Sequence, residues 1–201
     1  MHPVTHFLAG WAVGNAASLC RRDRAIVAVA GAAPDLDGLG WVVEAATFNS
    51  DTPLLWYIDY HHVLGHNIGF CLLYCAAAIW LGKRRMLVGG AAFLSFHLHL
   101  LFDLAGSRGA DGYQWPIPYL LPFSDAWQIT WSHQWRLGAW QNDALAGALV
   151  LLTIYLAWRR GYSPVGIVSP AADTKFIDTL RARFGKPGEN RKARGLDGKS
   201  Y

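Results

Sequence analysis

Histidine and aspartate recur in this chain at spacings that suit the capture of one cation. His99-x3-Asp103 is an i,i+4 pair, so on a helix both side chains share a face and can chelate one ion. His62 and His66 repeat that spacing, whereas His61 and His66, five apart, need a bend at the helix start. Pro34-Asp35-Leu36-Asp37-Gly38 sets two carboxylates just beyond a helix break, where freed backbone can line a polar cavity. His6 follows Thr5 near the start of the first apolar stretch. Asp35, Asp37 and Asp103, with His6, His61 or His62, His66 and His99, supply nitrogen and oxygen donors for one or two divalent ions. Zinc is the first candidate, with manganese or iron as alternatives. His97 points roughly 160° away from His99 on a helical wheel and reads as packing. His133 sits in a tryptophan-rich loop.

The elements that must position these residues are apolar and sharply punctuated. Residues 7–20 run into Arg21, Arg22 and Arg24; residues 25–33 stop at Pro34; residues 63–82 end at Gly82 before Lys83-Arg84-Arg85. Residues 86–102 are apolar except for Ser95, His97 and His99, and residues 140–158 end at Arg159-Arg160. A membrane span needs about 20 mostly apolar residues. The third and fifth stretches meet this, the fourth does if it extends to Ala105, the first only if it starts near Pro3, and the second only if it resumes through Gly38–Val43. The expectation is an all-α integral membrane bundle of about five helices arranged as hairpins, the second broken at its outer end. A soluble helical bundle with a very apolar core is the alternative. Residues 1–6 lack the basic start of a signal peptide, and no small-residue cleavage site follows, so the first helix is expected to belong to the fold.

Charge placement gives the expected orientation. The chain carries a formal +4, with 53 % hydrophobic and 16 % charged residues. Up to residue 160 the ten Lys/Arg and ten Asp/Glu balance, so the whole excess lies in residues 161–201. This makes a membrane-embedded domain over 1–160 and a basic tail over 161–201. The arginine-bearing turns and the tail fall on one side of a five-helix bundle. The other side holds only Arg108 and Arg136, with nine of the ten acids that precede residue 160. The positive-inside rule puts the former side in the cytoplasm. Mirroring positions about the hairpin turns sets His66 level with residue 101, between His99 and Asp103, and His6 near Asp35 and Asp37. Both hairpins therefore bring their ionisable groups to the same, extracytoplasmic end, a costly arrangement inside a membrane unless the groups pair or bind something.

The ordered set Thr5-His6-x3-Gly10, Pro34-Asp35-x-Asp37, His61-x4-His66-Asn67 and His99-x3-Asp103 resembles the bacterial and archaeal family of membrane-bound metal-dependent hydrolases. One branch of these inner-membrane-associated hydrolases is labelled LexA-binding. Gly106-Ser107-Arg108-Gly109, Gln114-Trp115, Leu121-Pro122-Phe123-Ser124 and Trp140-Gln141-Asn142 look like the family's continuation, so the resemblance covers about residues 1–158. Many members read His-Arg-Gly-x-Thr-His-Ser where this chain reads His61-His62-Val63-Leu64-Gly65-His66-Asn67, which keeps both His61 and His62 as ligand candidates. The resemblance implies a multi-pass inner-membrane hydrolase with a divalent metal ion; the function expected here is hydrolysis of an ester or phosphoester of a lipid or amphiphile by metal-activated water, with membrane lipids as partners. In that reading His6, Asp35, His61 or His62, His66, His99 and Asp103 hold metal, Asp37 is a ligand or the general base, and Arg108 faces anionic substrate or transition-state charge. The rival functions are a metal-ion carrier and a non-catalytic membrane scaffold with a structural ion.

Little else suggests chemistry. Cys71-x3-Cys75 reads as packing in an apolar setting, and no phosphate-cradling glycine loop or nucleophile elbow occurs. In the tail, Phe176, Ile177, Leu180 and Phe184 make an apolar stripe among Lys175, Arg181 and Arg183. That pattern suits a helix on an anionic membrane surface better than a nucleic-acid contact. Residues 185–201 have the composition of a disordered end.

Overall fold

The computed structural model describes residues 1–188. Its helices are α1 (Pro3–Ala16), α2 (Arg21–Ala32), a 3-10 segment (Pro34–Leu39), α3 (Gly40–Thr47), α4 (Trp56–Tyr60), α5 (Ile68–Leu81), α6 (Arg85–Gly106), α7 (Trp140–Arg160), α8 (Val165–Val168) and α9 (Pro170–Phe184). Among the described residues there is no strand; two isolated bridges, Arg108 with Arg136 and Ile117 with Ile129, tie the long segment between α6 and α7. The all-helical expectation therefore holds for the described residues.

The chain forms two compact units, Met1–Leu149 and Val150–Tyr201, and the division falls inside α7. In the first unit α6 packs against α1, α2 and α5, and α1 packs along α2. Their shared core holds Val27 and Ala30 from α2, Cys71, Cys75 and Ala78 from α5, and Val88, Ala92, Phe96 and Leu100 from α6. Small residues let the backbones come close. A Cβ on Gly10 would stand 2.5 Å from Ser95 Oγ and 2.7 Å from the Val27 carbonyl, and one on Gly31 would run into the His6 carbonyl. Gly10 and Gly14, four apart on α1, form the small-xxx-small pattern used for close helix crossings in membranes.

The expected spans differ in length from the observed helices. Among the described residues α6 is the one helix long and apolar enough to cross a membrane, while α2 with Pro34–Thr47 makes a candidate broken span bent by 60°. The first stretch forms only 14 helical residues, because the chain turns at Ser18, whose φ is +51°. The third begins at Ile68 rather than Val63, capped by Asn67, whose side chain accepts from the Phe70 N–H. Residues 61–67 are diverted into a turn instead.

In the second unit, Asp173 accepts from both the N–H and the hydroxyl of Ser163, at 2.9 and 2.6 Å. Trp158 Nε1 donates to the Gly185 carbonyl at 2.7 Å. The apolar stripe expected on α9 is turned partly inward, since Ile177 is buried while Phe184 is exposed. Most of the stretch expected to be disordered, from residue 189 onward, lies outside the described residues.

Candidate metal centre

Three elements of the first unit converge on one buried point. The break at Pro34 ends α2 and delivers Asp35 and Asp37; the turn before α5 delivers His66; the last two turns of α6 deliver His99 and Asp103. Asp35, His66, His99 and Asp103 each present one ligand atom, and these atoms all lie within 4.8 Å of one another. His66 Nε2 and His99 Nε2 are 3.0 Å apart. Asp103 Oδ2 is 3.0 Å from His99 Nε2 and 3.4 Å from His66 Nε2, while Asp35 Oδ1 is 3.7 and 4.0 Å from the same two nitrogens.

Hydrogen bonds on the far side of each ring decide which nitrogen faces the centre. His99 Nδ1 donates to the Gly31 carbonyl at 2.7 Å, and His66 Nδ1 donates to Asp37 Oδ2 at 3.1 Å. Each ring thus turns its Nε2 toward the other, beside two carboxylate oxygens. A proton or a metal cation must lie between two nitrogens at that distance; against the pull of burial, hydrogen bonds to Asp103 and Asp37 raise the His66 imidazole to about 9, so without metal that ring holds the proton a metal would displace. The donor set fits a metal: ligand atoms about 2.1 Å from a common divalent ion in tetrahedral array stand about 3.4 Å apart. Asp35 Oδ2 and Asp103 Oδ2 are buried without a hydrogen-bond partner in the described residues.

The remaining sequence candidates surround this core. His6 Nε2 lies 3.1 Å from Asp103 Oδ1, and its ring centre is 3.8 Å from that of His99, the planes tilted by 33°. The Met1 amine and Ser107 Oγ also bond Asp103 Oδ1, which leaves Oδ2 for the cluster. Asp37 has both oxygens engaged, by His61 Nδ1 at 2.8 Å, the Gly65 N–H at 2.9 Å and His66 Nδ1. Gly65 is needed there, because a Cβ would collide with the Pro34 carbonyl. His62 stacks face to face on His66 at 4.3 Å with an interplanar angle of 6°. It does so from φ +67°, a left-handed conformation costing a non-glycine residue roughly 1–2 kcal/mol. Burial drives the His62 imidazole down to about 2, reinforced by His66, so the ring is neutral. Burial, with the neighbouring Asp35 and Asp37 carboxylates, raises the Tyr57 phenol and keeps it a donor.

A cavity of about 740 Å³ opens beside the cluster, lined by Asp35, His61, His62 and Ser107 together with apolar Leu39 and Trp41. That volume falls in the roughly 300–1,000 Å³ range of small-molecule sites. The structure does not bring Arg108 to this cavity: its Nε donates to the Gly112 carbonyl at 3.2 Å. Among the described residues no lysine or arginine lines it. His97 instead bridges the Phe93 carbonyl and the Tyr119 hydroxyl, and exposed His133 contacts Ser132. Sequence reasoning missed three supports. Ser107 continues the i,i+4 series from His99 and Asp103, a signal open to reading. Gln134, from a segment with no periodic mark, donates to the Asp103 carbonyl at 2.8 Å, and Asn142, in the Trp140-Gln141-Asn142 start of α7, donates to the Gly106 carbonyl at 2.8 Å.

A model of the YdjM inner membrane protein family matches residues 1–169. The chain belongs to that family. This covers the whole first unit, with its buried His/Asp cluster, and supports an inner-membrane protein. Comparison with curated proteins and with solved structures returns no match.

Proposed function

We propose that this YdjM-family protein is a multi-pass inner-membrane hydrolase that cleaves an ester or phosphoester of a lipid or amphiphile with a divalent cation. The observation carrying the reading is the meeting of two facing Nε2 atoms and two carboxylate oxygens at one buried point beside a cavity. When bound, a divalent cation there supplies Lewis acidity and makes water acidic enough to attack near neutral pH. Asp35, His66, His99 and Asp103 would hold it, with zinc the first candidate for such a donor set.

Around that centre the chain's own residues divide the work. Asp37 positions His66 by accepting from its Nδ1, and it positions His61 in the same way. His61 lines the cavity with Nδ1 committed to Asp37, so its Nε2 is the nitrogen available to move a proton there. His6 and Ser107 hold the Asp103 carboxylate in its orientation. Tyr57, kept protonated, offers a donor to developing negative charge.

Exposed apolar side chains on α5, α6 and α7, among them Leu73, Trp80, Phe93, Leu101 and Leu151, support contact with lipid. With the broken pair α2–α3 and with α1, these helices make up the five-span arrangement proposed here. A carrier would place its ligands near the bilayer midplane. Here Asp103 lies three residues from the end of α6, which favours a site near one surface. The deciding experiment measures bound metal in the purified protein, then screens lipid esters and phosphoesters for turnover that a chelator abolishes and metal restores. Metal-free, inactive protein at full occupancy of the fold would refute the reading.

A further inference from the structure

The large cavity does not stop at the polar cluster. Leu39, Trp41 and Tyr57 line it, and Trp41 and Tyr57 also line a second, smaller cavity of about 190 Å³ with Glu44, Ala45 and Phe48. Trp41 and Tyr57 thus border both cavities, whose linings follow one another along the segment from Asp35 to Phe48. That segment presents a strongly apolar, unburied surface. Trp41 is 58 % and Phe48 73 % exposed, and Leu36, Leu39 and Val42 are exposed beside them. No residue of α3 is buried within the fold. An exposed apolar surface of this extent marks a contact with membrane or partner.

Three observations choose the occupant. The face belongs to the bent pair that passes as a broken span, so lipid is its natural surrounding. It borders a cavity that the candidate metal ligand Asp35 also lines. Among the described residues no lysine or arginine lines either cavity, and Glu44, the one acid lining the smaller, accepts from the Tyr57 N–H at 3.2 Å, so recognition there is left mainly to apolar contact.

We infer that the path from Leu39 across Trp41 to Phe48 holds one hydrocarbon chain of a membrane lipid whose headgroup lies at the His/Asp cluster. This deepens the hydrolase reading and rests on it for the chemistry at the headgroup. Leu39, Trp41 and Phe48 are then the residues that select for chain length, and the chain enters sideways from the bilayer along α3 rather than from water.

The test uses the full chain in phosphatidylcholine nanodiscs and a hexadecyl phosphate carrying a diazirine at its chain end, with the labelled peptide mapped by mass spectrometry. Saturable label is expected on residues 39–48. Unlabelled alkyl phosphates should compete with an affinity that rises up to about fourfold per added methylene; butyl phosphate should not compete. Trp41→Ala should weaken saturable labelling at least about tenfold. Phe48→Ala, at an exposed site where misfolding is not at issue, should shift the label along the segment. Label that is unsaturable, or that saturates elsewhere, overturns the chain path, whether lipid lies elsewhere or a second copy covers α3. Because labelling needs no turnover, the two readings separate. Saturable label on 39–48 without hydrolysis of any ester upholds the path and refutes the hydrolase. Metal-dependent hydrolysis indifferent to chain length refutes the path and upholds the hydrolase.

Discussion

His66 and His99 face one another through Nε2 atoms 3.0 Å apart, each ring fixed from behind, by Asp37 and by the Gly31 carbonyl. Both rings come from the α5–α6 hairpin and are held by groups that follow or end α2, so the ligands should act as a unit. His66→Ala, His99→Ala, Asp103→Ala and Asp35→Ala are each expected to abolish stoichiometric metal, measured by elemental analysis of purified protein. The His66→Ala/Asp35→Ala double variant should lose little more than either single, as coupled residues do. His97→Ala should retain full metal, because that ring bonds Phe93 and Tyr119 instead.

Asp37 offers a finer test, since it touches the cluster only through a histidine. Asp37→Asn leaves all four converging ligand atoms in place but weakens the hold on His66 and His61. Loss of such an outer partner typically costs 10–100-fold in metal affinity. The expected result is a site that still fills at high metal concentration with affinity reduced by about that factor, read by competition with a chelator. Complete loss of binding would make Asp37 a ligand itself.

How far this site can be read without coordinates is uneven, for physical reasons. The meeting of His66 with His99 and Asp103 follows from hairpin symmetry about Lys83-Arg84-Arg85, because both helices rise at the same rate from one turn. The division between Asp35 and Asp37 does not. They are two residues apart, and only the 3-10 geometry after Pro34 sends Asp35 to the cluster and Asp37 to His61, Gly65 and His66. His61 and His62 are equally opaque, since the positive φ at His62 separates two rings that a regular helix would place elsewhere. Arg108 lies in a segment without periodicity, where its bond to the Gly112 carbonyl has no sequence mark. Helix ends at Ser18 and Asn67 are not legible from hydropathy, because local turn and cap chemistry stops an apolar run that hydropathy alone would continue.

The strained backbone at His62 yields a stability comparison. Glycine adopts φ +67° without a Cβ clash, whereas alanine keeps the strain and loses the ring. His62→Gly should therefore be more stable than His62→Ala by roughly 1 kcal/mol, measured by unfolding of the two variants in the same detergent. Equal stabilities would mean that the left-handed conformation is not retained.

At the opposite end of the helices, Asp23 joins the two hairpins. Its Oδ1 accepts from the Lys83 N–H at 2.8 Å and its Oδ2 from the Arg84 N–H at 3.0 Å. These donors belong to the free, positive start of α6, where a carboxylate is favoured. Asp23 is fully buried. Asp23→Ala should destabilise the fold by roughly 1–3 kcal/mol while leaving metal stoichiometry unchanged, because the cluster sits at the other end of α6. A lowered unfolding temperature with full metal content is the expected pair of results; metal loss at intact stability would contradict the separation of the two ends.

The same polarity carries the topology prediction. Lys83, Arg84 and Arg85 cluster with Arg21, Arg22 and Arg24 at the turn end, and Arg159 and Arg160 close α7, while Asp35, Asp37 and Asp103 lie at the site end. Lysine and arginine near short loops are retained in the cytoplasm. Reporters fused after Arg85 and after Arg160 should therefore read as cytoplasmic, and one placed near Asp51, in the loop between α3 and α4, as extracytoplasmic. A cytoplasmic signal at Asp51 with an extracytoplasmic one after Arg85 would invert the arrangement and open the site to the inner face, because the site and the Lys83–Arg85 turn lie at opposite ends of α6. The Asp51 fusion therefore decides which leaflet the cavity serves.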